Sequence, residues 1–276
     1  MEIKLAQNYG FCFGVKRAIK IAESARGAST IGPLIHNNEE ILRLKENFDI
    51  TTLQSIDDAA SIKKAIIRTH GIPKDDLEYL KSKNIEIVDA TCPFVTKLQK
   101  ICEKMSKDGY SVVIFGDENH PEVQSVKSYA ENSVVVILSC EDLESLNLSK
   151  KVALVSQTTR KFEEFVKIAN HLIYTHKEVR VFNTICNATL ENQKSTKTLA
   201  KEVDVMIVVG GKNSSNTKQV YAISKEFCED SYLIENENEL KKEWFFEKKI
   251  CGITAGASTP DWIIKKTIEK ISNFKV

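Results

Sequence analysis

Residues 85–105 read IEIVDATCPFVTKLQKICEKM. The first five, IEIVD, are a short run rich in Ile and Val, the pattern of a strand buried in a parallel sheet. From Val95 onward apolar residues fall at Val95, Leu98, Ile101, Cys102 and Met105, the spacing of one helix face. Between them lies Thr91-Cys92-Pro93, with proline at the position it favours at a helix start. The stretch is strand, loop, helix, with a thiol where the helix begins. The same grammar recurs along the chain. Runs at 64–69, 111–115, 134–138, 151–155, 179–185, 204–209 and 250–254 are short, rich in Val and Ile and bounded by Gly, Asp, Asn or Ser, a first strand is expected at 3–6, and residues 15–25 place Val15, Ala18, Ile19 and Ala22 on one helical face. Strands alternating with helices predict an α/β fold with parallel sheets.

Binding loops of α/β proteins stand at the C-terminal ends of the strands. Here those loops read, in chain order, NYGFCFG, IGPLIHN, RTHGIP, DATCPF, GDENHPE, SQTT, TICNAT, GGKNSSN and TAGAS. They fall into three triplets, each headed by a cysteine, Cys12, Cys92 or Cys186, and each continuing with two polar loops. Identity between the triplets is low, so this is a pattern of organisation and not a sequence repeat. It predicts three α/β domains, 13–92, 93–182 and 183–276 with 1–12. The strand at 3–6 is expected in the last of these, because Cys12 precedes the first full helix. Three such units converging on one point would bring the three thiols together.

A thiol at a helix N-terminus is biased toward thiolate, the form that binds metal. Gly10 and Gly14 beside Cys12 let a backbone approach closely. Three thiolates with no fourth of like setting suggest a site with one open coordination position, and an iron-sulfur cube, which normally takes four cysteines, would be left with one iron free. A single Cys in apolar surroundings is otherwise a small buried hydrophobe. That reading suits Cys102 and Cys228 on helix faces and Cys140 and Cys251 beside strands. Position alone leaves Cys12, Cys92 and Cys186 open between the two; their shared strand-to-helix setting favours ligands. Seven cysteines, an odd number, with no Cys-x-x-Cys pair, point to reduced thiols and away from a disulfide framework or a zinc ribbon.

Only 11 Gly and 5 Pro occur, so their positions carry information. Every proline lies within three residues of His36, His70, Cys92, His120 or Ser258. His36, His70 and His120 stand in loops where an imidazole can bind phosphate oxygens or move a proton, or can be satisfied structurally; His171 and His176 lie in a helical, surface-like stretch. GGKNSSN at 210–216 precedes a helical pattern and would set Ser214, Ser215 and Asn216 near free backbone amides, which is either an anion site or simple capping. It lacks the glycine spacing of a Walker A loop. TAGAS at 254–258 offers the same small residues and a hydroxyl at Ser258. Glu122 is a carboxylate lodged in this set of loops, and beside a metal and a bound anion it could donate a proton.

Composition narrows the function further. Apolar residues at 42% and charged residues at 28% describe a globular chain with a real core. Thirty-nine Lys plus Arg against 38 Asp plus Glu leave a net charge of +1, too little for a nucleic-acid or membrane-surface partner. Any anion must be bound locally. No run approaches the roughly 18 apolar residues of a membrane span, and MEIKLAQNYG has no secretory core, so a cytoplasmic location is expected.

Seven segments in order, GFCFGV (10–15), DATCP (89–93), HPEV (120–123), SQTT (156–159), TIC-x-AT (184–189), KNSSN (212–216) and TAGASTP (254–260), resemble the motif series of the LytB family of 4-hydroxy-3-methylbut-2-enyl diphosphate reductases. The resemblance implies a pseudo-threefold trefoil of three similar α/β domains around one 4Fe-4S cluster held by Cys12, Cys92 and Cys186. It implies an allylic diphosphate substrate with its diphosphate among His36, His70, His120, Ser214, Ser215, Asn216 and Ser258 and its hydroxyl on the open iron. Glu122 with Thr158 would relay the proton, and Thr159 would lie in the same loop, near the substrate. The implied reaction is the last step of the methylerythritol phosphate route to isoprenoids, giving isopentenyl and dimethylallyl diphosphates and water. No dinucleotide fingerprint follows any strand, so electrons come from outside, by the resemblance from ferredoxin or flavodoxin. The family pattern after the third cysteine usually has an Arg-Gln pair; here Asn192-Gln193 stand there, with Lys194 next. No appended C-terminal domain is expected after TAGASTPDW. The alternatives are a non-catalytic iron-sulfur sensor or zinc-binding protein on the same thiolates, and a phosphate-binding module whose cysteines are only core; wide ligand spacing speaks against structural zinc.

Overall fold

A computed structural model of the chain describes residues 1–274. Among them, strands form three four-stranded sheets, parallel at every pairing. One holds β1 (Glu2–Leu5), β10 (Val205–Val209), β11 (Ser231–Ile234) and β12 (Ile250–Ala255) in the order β1-β12-β10-β11. The second holds β2 (Ser29–Ile31), β3 (Thr51–Leu53), β4 (Lys64–Ile67) and β5 (Glu86–Asp89) in the order β3-β2-β4-β5. The third holds β6 (Ser111–Phe115), β7 (Val134–Ile137), β8 (Lys151–Ser156) and β9 (Glu178–Val181) in the order β7-β6-β8-β9. β1 pairs with β12 in register Glu2 to Ile250, so the first strand joins the last sheet.

The helices are α1 (Phe13–Ser24), α2 (Asn38–Phe48), α3 (Lys74–Ser82), α4 (Pro93–Lys107), α5 (Pro121–Lys127), α6 (Phe162–Thr175), α7 (Asn187–Ala200), α8 (Ser215–Phe227) and α9 (Asp261–Ser272). Among the described residues no helix is long and apolar enough to cross a membrane. The inner strands β6 and β10 are buried at every position, as strands covered on both faces must be, which is why they are continuous apolar runs. α4 turns Val95, Leu98, Cys102 and Met105 into a core with Val112 and Ile114 of β6. α9 does the same with Ile263, Ile264 and Ile271 against β10 and β12.

The chain divides into two compact units. The first comprises residues 1–16, 35–47 and 187 onward; the second, 17–34 and 48–186. The first holds the β1-β12-β10-β11 sheet and takes in α2 up to Asn47, and the second holds the other two sheets. The sequence runs anticipate nine of the strands but not β2, β3 and β11. These are three or four residues long, and STI and TTL carry too few apolar residues to stand out. The run 179–185 ends as a strand at Val181. Beyond it the Thr184 hydroxyl accepts from Ser156 N at 2.8 Å and donates to Ser156 O at 2.6 Å, so a side chain replaces the ladder and releases the backbone into the Cys186 loop.

Candidate active site

In the second unit, Glu122 stands in the first turn of α5 and is 3% exposed. Its Oε1 accepts from Thr158 N at 2.6 Å and its Oε2 from the Thr158 hydroxyl at 2.7 Å. Burial pushes its carboxyl above the ordinary range, while the two bonds from Thr158 pull the other way and lose. Glu122 is thus a carboxyl held toward its protonated form with a hydroxyl in contact. His120 caps α5, its Nδ1 accepting from Glu122 N at 3.1 Å. An accepting Nδ1 in a neutral ring leaves the hydrogen on Nε2, which can then donate to an oxygen. The His70 ring meets His120 edge-on, centroids 5.4 Å apart.

The His70 loop is held from below. A side chain at Gly71, where φ is +75°, would come within 2.6 Å of both Gln99 Nε2 and Ser125 Oγ, so only glycine lets this loop settle on α4 and α5. Cys92 N donates to Thr69 O at 3.0 Å, and Arg17 donates to Thr91 O at 3.1 Å. Cys186 N donates to Thr158 O at 3.1 Å. One cysteine is therefore bonded to the residue before His70 and the other to the partner of Glu122. Thr159 is half-buried, its hydroxyl accepting from Gln157 Nε2 at 3.3 Å. Gln157 is fully buried and its Oε1 also accepts from Asp117 N at 3.0 Å, which joins the loops after β6 and β8. Sequence reading did not single out Gln157 or Arg17; Arg17 binds a backbone carbonyl and Gln157 a backbone amide as well as the Thr159 hydroxyl, and backbone partners leave no residue-type signature.

In the first unit, Ser214 caps α8, its Oγ accepting from Thr217 N at 3.3 Å. Ser258 Oγ donates to His36 O at 3.2 Å and lies 3.4 Å from Ser214 Oγ. Asn216 Oδ1 accepts from Ala257 N at 2.9 Å, while its Nδ2 is buried with no hydrogen-bond partner among the described residues. A buried amide left without an acceptor is costly, about 1–3 kcal/mol, and an anion at this helix start would satisfy it. Ser215 is half-buried at the first position of α8. Cys12 N donates to Ala257 O at 3.1 Å, and Cys12 O accepts from Lys16 N at 2.9 Å, so the residue caps α1.

The seven cysteines divide by setting. Cys12, Cys92 and Cys186 are half-buried, each the residue immediately before a helix. Cys102 and Cys251 lie inside elements, with thiols that burial pushes up to about 12. Cys228 is buried and raised, and Cys140 is raised by burial and by Glu141 and Glu144. Burial therefore opposes thiolate chemistry at Cys102, Cys140, Cys228 and Cys251, and the donor set left at the three helix starts fits a cluster with three cysteine ligands.

The family model for LytB protein matches residues 3–272. The chain belongs to the LytB family. Relatives named 4-hydroxy-3-methylbut-2-enyl diphosphate reductase include one from Campylobacter concisus, 66% identical over 98% of this chain and 99% of the relative. Another, from Campylobacter jejuni, is 65% identical over the whole of both chains. The solved structure of (E)-4-hydroxy-3-methyl-but-2-enyl diphosphate reductase, the terminal enzyme of the non-mevalonate pathway, is 42% identical with a TM-score of 0.71, covering 99% of each chain. The E-1-hydroxy-2-methyl-but-2-enyl-4-diphosphate reductase from Plasmodium falciparum is 25% identical with a TM-score of 0.92, covering 99% of this chain and 88% of that one. This LytB-family chain is accordingly an enzyme of the three-sheet α/β type, as its loop motifs anticipate.

Proposed function

We propose that the chain is a cytoplasmic reductase that converts 4-hydroxy-3-methylbut-2-enyl diphosphate to isopentenyl and dimethylallyl diphosphates, the last step of the methylerythritol phosphate route. The balance is one substrate, two electrons and two protons in, and one product and one water out. The carbon–oxygen bond of the terminal hydroxyl breaks and a carbon–hydrogen bond forms. Ferredoxin or flavodoxin supplies the electrons. The chain is organised as three domains, 13–92, 93–182 and 183–276 with 1–12, and Cys12, Cys92 and Cys186, each just ahead of a helix, hold a 4Fe-4S cluster. When bound, that cluster supplies electrons singly and an iron with an open position to act as a Lewis acid toward the departing hydroxyl.

The observation that carries this reading is the Glu122–Thr158 pair, a buried carboxyl with raised proton affinity bonded to a hydroxyl at 2.7 Å. When protonated, Glu122 can donate to Thr158 Oγ, and that hydroxyl presents its own hydrogen onward, since a hydroxyl both donates and accepts. The diphosphate is taken by His36, His70 and His120 with Ser214, Ser215, Asn216 and Ser258, and Thr159 lines the substrate. His120 donates from Nε2, and Asn216 Nδ2 supplies the donor that has no partner. Neutral donors suit a chain of net charge +1 that attracts neither nucleic acid nor membrane. The test is anaerobic purification followed by turnover of the allylic diphosphate with a chemical reductant. Brown protein with about four iron and four sulfide per chain that forms both products is expected. Colourless protein, zinc in place of iron, or iron without turnover would overturn the proposal.

A further inference from the structure

We propose that Trp262 and Glu40 form a latch that positions the diphosphate-binding loops, deepening the function proposed above and resting on it. Glu40 stands in the first turn of α2 and is 1% exposed. A carboxylate so buried must be matched by donors. Both of its oxygens accept from Arg43 Nε at 3.0 Å, Oε1 accepts from Arg43 Nη2 at 2.6 Å, and Oε2 accepts from Trp262 Nε1 at 3.1 Å. Arg43 belongs to α2 itself. The indole N–H comes from the first turn of α9, so it ties two helices together.

Those two helices share a consequence. His36 lies just ahead of α2 and Ser258 just ahead of α9, and the two loops meet where Ser258 Oγ donates to His36 O at 3.2 Å. The fit leaves no slack, because a Cβ at Gly211 would come within 2.2 Å of His36 O. A second tether runs from Asn236 Nδ2 to Glu39 Oε1 at 2.7 Å. Movement of α2 along α9 would carry His36 away from Ser258 and Gly211 together. Trp262 and Glu40 are thus positioning residues, acting on the anion through the loops that their helices anchor.

The test is calorimetric binding of inorganic diphosphate to the full chain, together with steady-state turnover. Trp262→Phe keeps the ring and removes the N–H, which should weaken diphosphate binding about tenfold, the size expected for one hydrogen bond to a charged group. KM for the allylic diphosphate should rise in step while kcat stays within about twofold, because the proton relay lies elsewhere. Glu40→Gln keeps an oxygen for the indole and should retain most of the wild-type binding. Unchanged diphosphate binding in Trp262→Phe, or a loss confined to kcat, would overturn the latch. If Trp262→Phe does not fold, Asn236→Ala cuts the second tether, and wild-type diphosphate binding in that variant would overturn it equally. Failure of the wild-type chain to bind diphosphate would instead remove the function on which the latch rests.

Discussion

Burial decides what Glu122 can do. A carboxyl in water is ionised at neutral pH and cannot donate, whereas at 3% exposure the charged form loses its hydration and the proton is held more tightly. Glu122→Gln should therefore keep its iron and lose at least about a hundredfold in turnover, the lower end for a general acid; iron assay and product formation on the same sample check it. The same shift acts on stability. The folded-state affinity of Glu122 for its proton lies above that of the unfolded chain, so between the two values the native state holds the proton that the unfolded state has lost. Stability conferred by the protonated carboxyl is then full below the ordinary carboxylate range and lost as pH rises through the raised value. Urea midpoints of wild type and Glu122→Gln should diverge in favour of the variant as pH rises; parallel curves would deny the shift. Of this pair, the sequence shows the carboxylate, because His120-Pro121-Glu122 opens a helix. Local pattern does not show the amide and hydroxyl of Thr158, which only the family resemblance set beside Glu122, because that contact joins residues 36 positions apart.

At the scale of elements, the place of a cysteine decides its chemistry. One residue before a helix, a thiol stands beside backbone N–H groups that have no helical partner; inside a helix or strand the backbone amides are already paired. Cys102 is fully buried in α4, and its thiol is pushed up to about 12. Cys102→Ala should leave iron content unchanged and cost about 1 kcal/mol of stability from a small void. Cys92→Ala, at the residue just ahead of the same helix, should abolish iron binding while leaving α4 capped by its backbone. Loss of iron in the first variant, or retention in the second, would reverse the assignment. These positions are legible because Pro93, the apolar periodicity after it and the strand before it mark a helix start from sequence alone. The strands β2 and β3 are not, since Ser29, Thr30, Thr51 and Thr52 supply hydroxyls and not an apolar run. Their pairing rests on backbone bonds and on hydroxyl contacts such as Ser29 to Thr51 at 2.6 Å, which periodicity does not record.

Across the whole molecule, two things escape a reading by segments and one does not. α2 belongs to the first unit although its sequence neighbours β2 and β3 belong to the second; within the first unit Glu40 meets Trp262, and no local pattern announces a contact across 222 positions. Nor does composition reveal that Asn216 would be left with a buried donor. What composition does reveal is charge. With 39 cations against 38 anions, the chain offers no collective field to a diphosphate, so the proposed function assigns affinity to short-range donors such as Asn216 Nδ2, His120 Nε2 and the serines. Screening weakens long-range attraction far more than hydrogen bonds in a water-poor site. Inorganic diphosphate binding should accordingly fall less than about tenfold between about 50 and about 200 mM salt, against the thousandfold and greater losses of proteins that neutralise many phosphates. A steep salt slope would mean that surface lysines carry the anion. The buried donors at the start of α8 would then be structural capping groups, and the diphosphate would have to lie elsewhere.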